Sequence, residues 1–427
     1  MPGHPSTSHG AGRSRFDYRD PSEVGLGTFR FSDSIEAFHE SASKTRGLEN
    51  FGEDDYREAL GVLCRSLDRD AQLTPIGEMA IQAMITGSLE ARLLLEEGFR
   101  LHPEAGSTPV ERPLIIIGLP RTGTTALHHL IAQDPKVQAL EHWLQRTPKP
   151  RPPRAEWNDD PDFQAAAARV DLMFARSPEM RAIHEIEAHL PDECWNTFSQ
   201  NFVHSSYEAN ADVREYAAWW ANCDMRPVYE RHQRTAQLIG SSPNADSDSD
   251  SNRDEPHSQW LFKDATHLFG AEALFEVYPD ALVVQTHRDP VPMIASVCSL
   301  CWSAREALNE ETDIHQFGQS TLALWARSID TMMDVRADHD PAQFFDVAFD
   351  RFVQDPVRSI REIYDYFGLA YTDEADRAIQ TFRAENPKGQ HGKHAYSLTE
   401  YGLSEGEVRE RFARYTTTYQ AFCGARE

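Results

Sequence analysis

Long apolar segments are missing from this sequence. No run approaches the eighteen or so apolar residues that a membrane-spanning helix requires. Residues 1–16, MPGHPSTSHGAGRSRF, also lack the apolar core of a secretory signal peptide. We therefore predict a cytoplasmic protein without a membrane span.

Basic residues are scarce. The chain has 42 Lys and Arg against 68 Asp and Glu, which gives a net charge of −26 at pH 7. Such a charge repels a phosphate backbone, so nucleic acid is excluded as an expected partner. A small anionic ligand would then have to bind in a locally basic pocket.

Cysteine is rare as well, with six in 427 residues. Cys298 and Cys301 form a C-x-x-C inside the helical pattern VPMIASVCSLCW, and no second pair completes a zinc site. We interpret them as small residues on a buried helix face and predict no metal.

The composition divides the chain into segments. Residues 1–24 are rich in Gly, Ser, Pro and charge, which predicts a disordered tail. Apolar residues then recur at helical spacing, which predicts a helical N-terminal region over residues 25–110. Residues 111–427 are predicted to form an α/β domain. Its polar, acidic run at 240–259 is interpreted as a disordered insertion that cannot bury enough surface to order itself.

The α/β domain is predicted from short apolar runs that alternate with helical patterns. The runs are 114–117 (LIII), 137–140 (VQAL), 260–262 (WLF), 281–286 (ALVVQT) and 344–349 (FFDVAF). A long helical stretch is predicted from about 161 to 239. Such alternation predicts a parallel sheet flanked by helices, whose ligands bind at the carboxyl ends of the strands. The loops at 118–125, 263–267 and 287–290 would all lie at that edge.

The loop after the first strand has the outline of a phosphate-binding loop. GLPRTGTT matches G-x-x-x-x-G-K-[ST], except that Thr124 replaces the Lys that reaches the β- and γ-phosphates of ATP. Gly118 permits a tight turn, and the free N–H groups of a following helix favour an anion. We therefore predict an anion site at Arg121, Thr122, Gly123, Thr124 and Thr125.

A second candidate anion site lies in 286-THRDPVPMIAS-296. Asp289 can cap the helix that Pro290 begins, which leaves Arg288 just beyond a predicted strand. Ser296 lies two turns into that helix. An Arg and a Ser hydroxyl suit a separate phosphate group.

These two motifs, in this order, resemble the PAPS-dependent sulfotransferases, in particular the bacterial branch. PRTGTT resembles their 5′-phosphosulfate loop, whose usual form is P-K-S-G-T-T, and the pair Arg288 and Ser296 resembles their 3′-phosphate site. The resemblance covers close to the whole chain. It implies a P-loop-like sulfotransferase fold and the co-substrate 3′-phosphoadenosine 5′-phosphosulfate (PAPS), which has no γ-phosphate for a lysine after the second Gly to hold.

The resemblance also implies roles for individual residues. The family's loop lysine corresponds to Arg121, which is cationic but planar. Arg121, Lys263, Thr124 and Thr125 are candidates to stabilise the departing 5′-phosphate. Lys388 and Gly389 partly match a C-terminal R-K-G segment, with Pro387 in place of the Arg.

The acceptor would be a hydroxyl or amine of a small molecule, sugar or lipid, and its proton requires a general base. Glu141 is the first candidate, since a Glu in this region is the base in some relatives with sugar acceptors. His267 is the rival. Two other functions remain open: a P-loop kinase, whose nearest Mg²⁺-binding candidate is Asp264, and a non-catalytic nucleotide-binding protein. Nothing in the sequence indicates the oligomeric state.

Overall fold

A five-stranded parallel sheet forms the centre of the protein. The computed structural model describes residues 29–176, 186–241, 259–386 and 397–424. Within them the strands are β1 (Leu114–Gly118), β2 (Val137–Ala139), β3 (Gln259–Lys263), β4 (Leu282–His287) and β5 (Phe344–Ala348), in the order β2-β3-β1-β4-β5. All neighbouring strands pair in parallel, so the predicted parallel sheet is confirmed.

The N-terminal helices precede the sheet. They are α1 (Ile35–Arg46), α2 (Arg57–Asp70) and α3 (Pro75–Leu101). α3 begins where its sequence provides a cap: the Thr74 hydroxyl accepts a hydrogen bond from the amide of Gly77, and Pro75 takes the first helical position. The predicted helical N-terminal region is therefore confirmed.

The remaining helices connect or follow the strands. They are α4 (Thr124–Ile131), α5 (His142–Arg146), α6 (Pro161–Arg176), α7 (Trp195–Phe198), α8 (Ser206–Asn210), α9 (Arg214–Trp220), α10 (Arg226–Gly240), α11 (Ala271–Val277), α12 (Pro290–Leu308), α13 (Ile314–Ala337), α14 (Phe349–Gln354), α15 (Pro356–Phe367), α16 (Asp373–Glu385), α17 (Glu405–Arg411) and α18 (Ala413–Thr418). Within its described residues, the long helical stretch predicted from about 161 to 239 is divided into the separate helices α6–α10. Pro191 accounts for one of the breaks, because a proline lacks the amide that a helix interior requires.

Helices cover both faces of the sheet. Every residue of β1 is buried. Ile115 and Ile117 belong to the apolar core shared with α1–α3, whereas Leu114 and Ile116 belong to the core formed with α4 and α15. Successive side chains of a strand point to opposite faces, so the uninterrupted apolar run of β1 is what a doubly covered parallel strand requires.

Two predicted segments lie outside the described residues. They are the tail at 1–24 and nearly all of the insertion at 240–259, of which only Gly240, Ser241 and Gln259 are described. The domain boundaries at 25–110 and 111–427 stay predictions.

Candidate active site

A cavity of about 1090 Å³ opens where the loops after β1 and β3 meet α12 and α13. Because parallel strands end at the same edge, these loops lie side by side. The predicted site residues on the cavity wall are Arg121, Gly123, Thr124, Thr125, Lys263 and Arg288.

The β1–α4 loop keeps its shape through close packing. Gly118 has φ 153°, and a Cβ there would lie 2.2 Å from the Thr286 hydroxyl oxygen, so a larger residue would displace β4. The Thr122 hydroxyl donates to the Leu119 carbonyl at 2.6 Å and lies 2.6 Å from the Thr286 hydroxyl oxygen. Thr122 is fully buried and therefore holds the loop from inside rather than lining the cavity.

The two predicted anion sites meet at Arg121. The Arg288 side chain donates to the Arg121 carbonyl at 2.7 Å, and the Arg121 Nε donates to the Ser296 hydroxyl at 3.2 Å. Arg121 itself has φ 66°, a left-handed conformation that is unfavourable for a side chain of this size. As predicted, Asp289 caps the helix that follows, accepting from the Val291 amide at 3.0 Å.

Lys263 supplies the cation that the loop lacks after Gly123. It is the last residue of β3, its side chain is buried, and its Nζ donates to the Thr125 hydroxyl at 3.0 Å. The same Nζ pairs with the Glu193 carboxylate. The first amides of α4 have no partners within the helix. Because Thr124, Thr125 and Lys263 all line the cavity, these amides and the ammonium suit an anion there.

Backbone hydrogen bonds place Glu193 beside Lys263. The Cys194 amide donates to the Lys263 carbonyl at 3.0 Å, and the Asp192 amide donates to the Leu140 carbonyl at 3.0 Å. Residues 191–194 therefore cross the carboxyl ends of β2 and β3. Glu193 lines the cavity with its side chain about a quarter exposed.

His204 and Asp264 form a second polar pair on the cavity wall. The Ser206 amide donates to His204 Nδ1 at 3.0 Å, so His204 Nε2 carries the proton and faces Asp264 Oδ2 at 3.4 Å. Burial opposes ionisation of Asp264, but His204 and the Thr266 amide hold its pKa at about 2. Both ring nitrogens of His204 have hydrogen-bonding partners, so the ring is held in a fixed orientation on the cavity wall.

The structure does not bring Glu141 or His267 to the cavity wall. The Glu141 carboxylate accepts two hydrogen bonds from the Arg151 guanidinium, at 3.0 and 3.2 Å. His267 is fully buried, its Nδ1 lies 2.9 Å from the Tyr229 hydroxyl, and burial lowers its pKa to about 4.

Glu193, His204 and Asp264 are polar residues of the cavity wall that lie beside the predicted site residues. Glu193 and His204 were not predicted, and Asp264 was considered only as a kinase Mg²⁺ ligand. Glu193 and His204 lie within the long helical stretch predicted from about 161 to 239, where the sequence signal for a site is Pro191 beside two acids in LPDECW. Lys388 and Gly389 lie outside the described residues.

Within the described ranges, no three His, Cys, Asp or Glu side chains are grouped closely enough to hold a metal ion. Over the same ranges, every helix is too short or too polar to cross a membrane.

Known proteins are similar to this chain in fold and in sequence. The profile of the sulfotransferase family matches residues 113–373. The crystal structure of sulfotransferase STF1 from Mycobacterium tuberculosis is 38% identical and covers 90% of this chain and 100% of that chain, with a TM-score of 0.81. That of sulfotransferase STF9 from Mycobacterium avium is 26% identical and covers 94% of this chain and 100% of that chain, with a TM-score of 0.82.

A curated relative indicates one acceptor used by similar proteins. The omega-hydroxy-beta-dihydromenaquinone-9 sulfotransferase Stf3 of Mycobacterium bovis is 28% identical over 289 residues, and a protein of the same name from Mycobacterium tuberculosis matches equally. The aligned region covers 60% of this chain and 63% of the relative, so the chain spans less than two thirds of the relative's length.

Proposed function

Since this chain belongs to the sulfotransferase family, we propose that it transfers a sulfuryl group from PAPS to a hydroxyl or amine of a small-molecule, sugar or lipid acceptor. The observation that carries this proposal is the contact between Lys263 Nζ and the Thr125 hydroxyl at 3.0 Å. It places a buried cation at a phosphate-type loop that has Thr124 in place of the kinase lysine.

The loop and Lys263 suit the 5′-phosphosulfate end of the donor. The α4 amides, Thr124 and Thr125 offer hydrogen-bond donors, and Arg121 and Lys263 offer positive charge to the leaving phosphate. PAPS supplies the sulfuryl group, and 3′,5′-ADP is the leaving product. No metal ion enters the proposal.

Arg288 and Ser296 are our candidates for binding the 3′-phosphate, because they offer a guanidinium and a hydroxyl group. Both side chains contact Arg121. The Arg288 guanidinium also lies 4.2 Å from the centre of the Phe349 ring, on the cavity wall. That ring, with Phe352 and Phe382 nearby on the wall, offers apolar surface for the adenine base. Lys388 and Gly389 stay sequence-based candidates for a further nucleotide contact.

Glu193 is our candidate for the general base, ahead of Glu141 and His267. It reaches the cavity beside Lys263, whereas Glu141 is held by Arg151 and His267 is buried against Tyr229. In the proposed step Glu193 takes the acceptor proton while the acceptor oxygen bonds to sulfur and the bond from sulfur to the phosphate oxygen breaks.

A lipid with a hydroxyl group is the acceptor class that the cavity favours. Its wall beyond the nucleotide loops carries the apolar side chains Val297, Leu300, Phe317, Leu324 and Trp325. The curated relatives are named for an omega-hydroxylated menaquinone, which is apolar apart from its polar ends. A cytoplasmic location stays a prediction from the sequence.

Nucleotide binding tests the proposal directly. Calorimetry should show that 3′,5′-ADP binds much more tightly than 5′-ADP or ATP. Arg288→Ala should weaken 3′,5′-ADP binding by about tenfold to a hundredfold, because it removes a charge-assisted contact to the 3′-phosphate. It should weaken the already weak 5′-ADP binding much less.

The matched control is Arg409→Ala, which removes a nearby arginine that pairs with Asp289 and Glu405 instead. It should leave the affinity for 3′,5′-ADP unchanged. Equal affinities of the wild-type protein for 3′,5′-ADP and 5′-ADP would refute the donor assignment, and preferential ATP binding would point to a kinase.

A further inference from the structure

A buried carboxyl group lies on the apolar side of the active-site cavity. Glu208 belongs to α8 and lines the cavity with its side chain 15% exposed. The same cavity is also lined by the apolar side chains of Val297 and Leu300 from α12 and Phe317 and Leu324 from α13. An ionisable side chain in such surroundings is unfavourable unless it has a hydrogen-bonding partner.

The contacts available within the protein leave Glu208 incompletely satisfied. Among the described residues, its Oε1 has no hydrogen-bond partner, and the nearest cation is Arg327 Nη2 at 3.8 Å, beyond hydrogen-bond range. Native proteins satisfy most buried polar atoms, so a carboxyl group that lines a cavity and has an oxygen without a hydrogen-bond partner is suited to a ligand.

The helix that carries Glu208 is fixed in place. The Arg305 guanidinium donates to the carbonyls of Glu208 and Ala209, and Asn309 Nδ2 donates to the Asn210 carbonyl at 2.9 Å. Arg305 and Asn309 come from the end of α12, so the last turn of α8 is satisfied from outside. The carboxyl group is thereby presented to the cavity from a rigid support.

Glu208 lies near the proposed site of transfer. His204, four residues earlier, faces Asp264, which directly follows Lys263 along the chain. Ser206, the first residue of α8, donates its amide to His204, and His204, Glu208 and Lys263 all line the same cavity.

We propose that Glu208 determines acceptor specificity by hydrogen bonding to a second hydroxyl group of an otherwise apolar acceptor, beyond the hydroxyl that receives the sulfuryl group. The inference rests on the proposed function and names the acceptor class more narrowly. A hydroxyl group both donates and accepts, so it pairs with a carboxyl group in either protonation state. This matters because burial raises the pKa of Glu208 to about 7, against the opposing charges of Arg327 and Arg305.

The experiment uses the full chain saturated with 3′,5′-ADP. The probes are straight-chain α,ω-diols of six to ten carbons, each compared with the 1-alkanol of the same length by calorimetry and thermal shift. The wild-type protein should bind at least one diol about tenfold more tightly than its matched alkanol. Glu208→Leu should abolish this preference, and Glu208→Gln should retain most of it, since an amide also pairs with a hydroxyl.

Glu230→Gln is the control, because Glu230 is an exposed residue paired with Arg226. It should keep the diol preference of the wild-type protein. All variants should bind 3′,5′-ADP with wild-type affinity, which shows that they fold. Equal binding of diol and alkanol, binding of neither, or a preference that survives Glu208→Leu would overturn the inference. Failure of the wild-type protein to bind 3′,5′-ADP would instead refute the proposed function.

Discussion

The ion pair between Glu193 and Lys263 places a carboxylate and a cation side by side on the cavity wall. In the proposed reaction their tasks differ, because Lys263 neutralises the leaving phosphate and Glu193 accepts a proton. While the two groups are paired, the ammonium is less available to a phosphate and the carboxylate is less available to a proton. In that reaction a bound anionic donor would compete with Glu193 for the ammonium, and the competition would release the carboxylate toward the acceptor.

Glu193→Gln should lower kcat by about 10²- to 10⁴-fold, the usual contribution of a general base. The affinity for 3′,5′-ADP should stay the same or rise, because the substitution removes a negative charge beside Lys263. Steady-state turnover with PAPS and an alcohol acceptor, together with nucleotide calorimetry, provides both measurements.

Glu141→Gln and His267→Gln are the matched variants. Glu141 is already held by Arg151, and His267 by Tyr229, so we expect each substitution to lower turnover less than Glu193→Gln does. If Glu141→Gln or His267→Gln abolishes turnover while Glu193→Gln remains active, the base is the residue predicted from the sequence and not Glu193.

Local sequence motifs predict one part of this site, but the other part depends on contacts between distant segments. Arg121, Thr124, Thr125 and Lys263 lie on the cavity wall, as their motif positions indicated, because a phosphate-type loop is defined by local spacing. Glu193 has no such local pattern. It reaches Lys263 only through backbone pairing between segments about seventy residues apart in sequence.

At the level of secondary-structure elements, the junction between β1 and its loop depends on the close approach of Gly118 in β1 to Thr286 in β4. Gly118↔Thr286 is the last residue pair between β1 and β4. Gly118→Ala should lower stability by about 1–3 kcal/mol and weaken 3′,5′-ADP binding, because the added methyl group would overlap the Thr286 hydroxyl. Thermal denaturation and nucleotide calorimetry measure the two effects.

Gly406→Ala is the control for a methyl group added elsewhere. Gly406 lies in α17, and a Cβ there would meet nothing within 4 Å. It should leave nucleotide binding unchanged and raise stability slightly, since alanine favours a helix more than glycine does. An unaffected Gly118→Ala variant would show that β4 moves aside at little cost.

Strands were easier to predict than helices in this chain. β1 (LIIIG) is a continuous apolar run, β3 has the apolar centre WLF, and β4 begins with LVV, a pattern that burial on both faces favours. Between residues 161 and 239 the sequence has helical composition throughout, yet α6–α10 are separate. Composition describes which residues tolerate a helix. Apart from the break at Pro191, the helix boundaries depend on tertiary contacts such as the hydrogen bond from the Cys194 amide to the Lys263 carbonyl.

At the scale of the whole molecule, the two ends that border residues 242–258 lie close together. The position of a Cβ on Gly240 is 2.9 Å from the Trp260 ring. The Gln259 amide donates to the Lys136 carbonyl at 2.9 Å, and the Arg151 amide donates to the Ile239 carbonyl at 3.0 Å. Each end is therefore held by contacts of its own.

Replacing residues 242–258 by a short Gly-Ser linker should leave the melting temperature within a few degrees and the affinity for 3′,5′-ADP unchanged. The replaced residues are too polar to contribute a core, and shortening a loop alters closure entropy only slightly. A Gly-Ser segment of the original length is the control for length alone. A large loss of stability in both variants would mean that the native sequence of this segment packs against the domain.

Arg121 makes the two halves of the proposed donor site thermodynamically dependent on each other. Its carbonyl receives Arg288, its guanidinium reaches Ser296, and its backbone holds a strained conformation between them. Engagement of one end of a nucleotide restricts the same residue that the other end requires. Donor affinity is then a cooperative quantity rather than a sum of two phosphate contributions. A nucleotide with only one of the two charged ends would gain much less than half of the binding free energy, so common nucleotides without a 3′-phosphate would be excluded from the site.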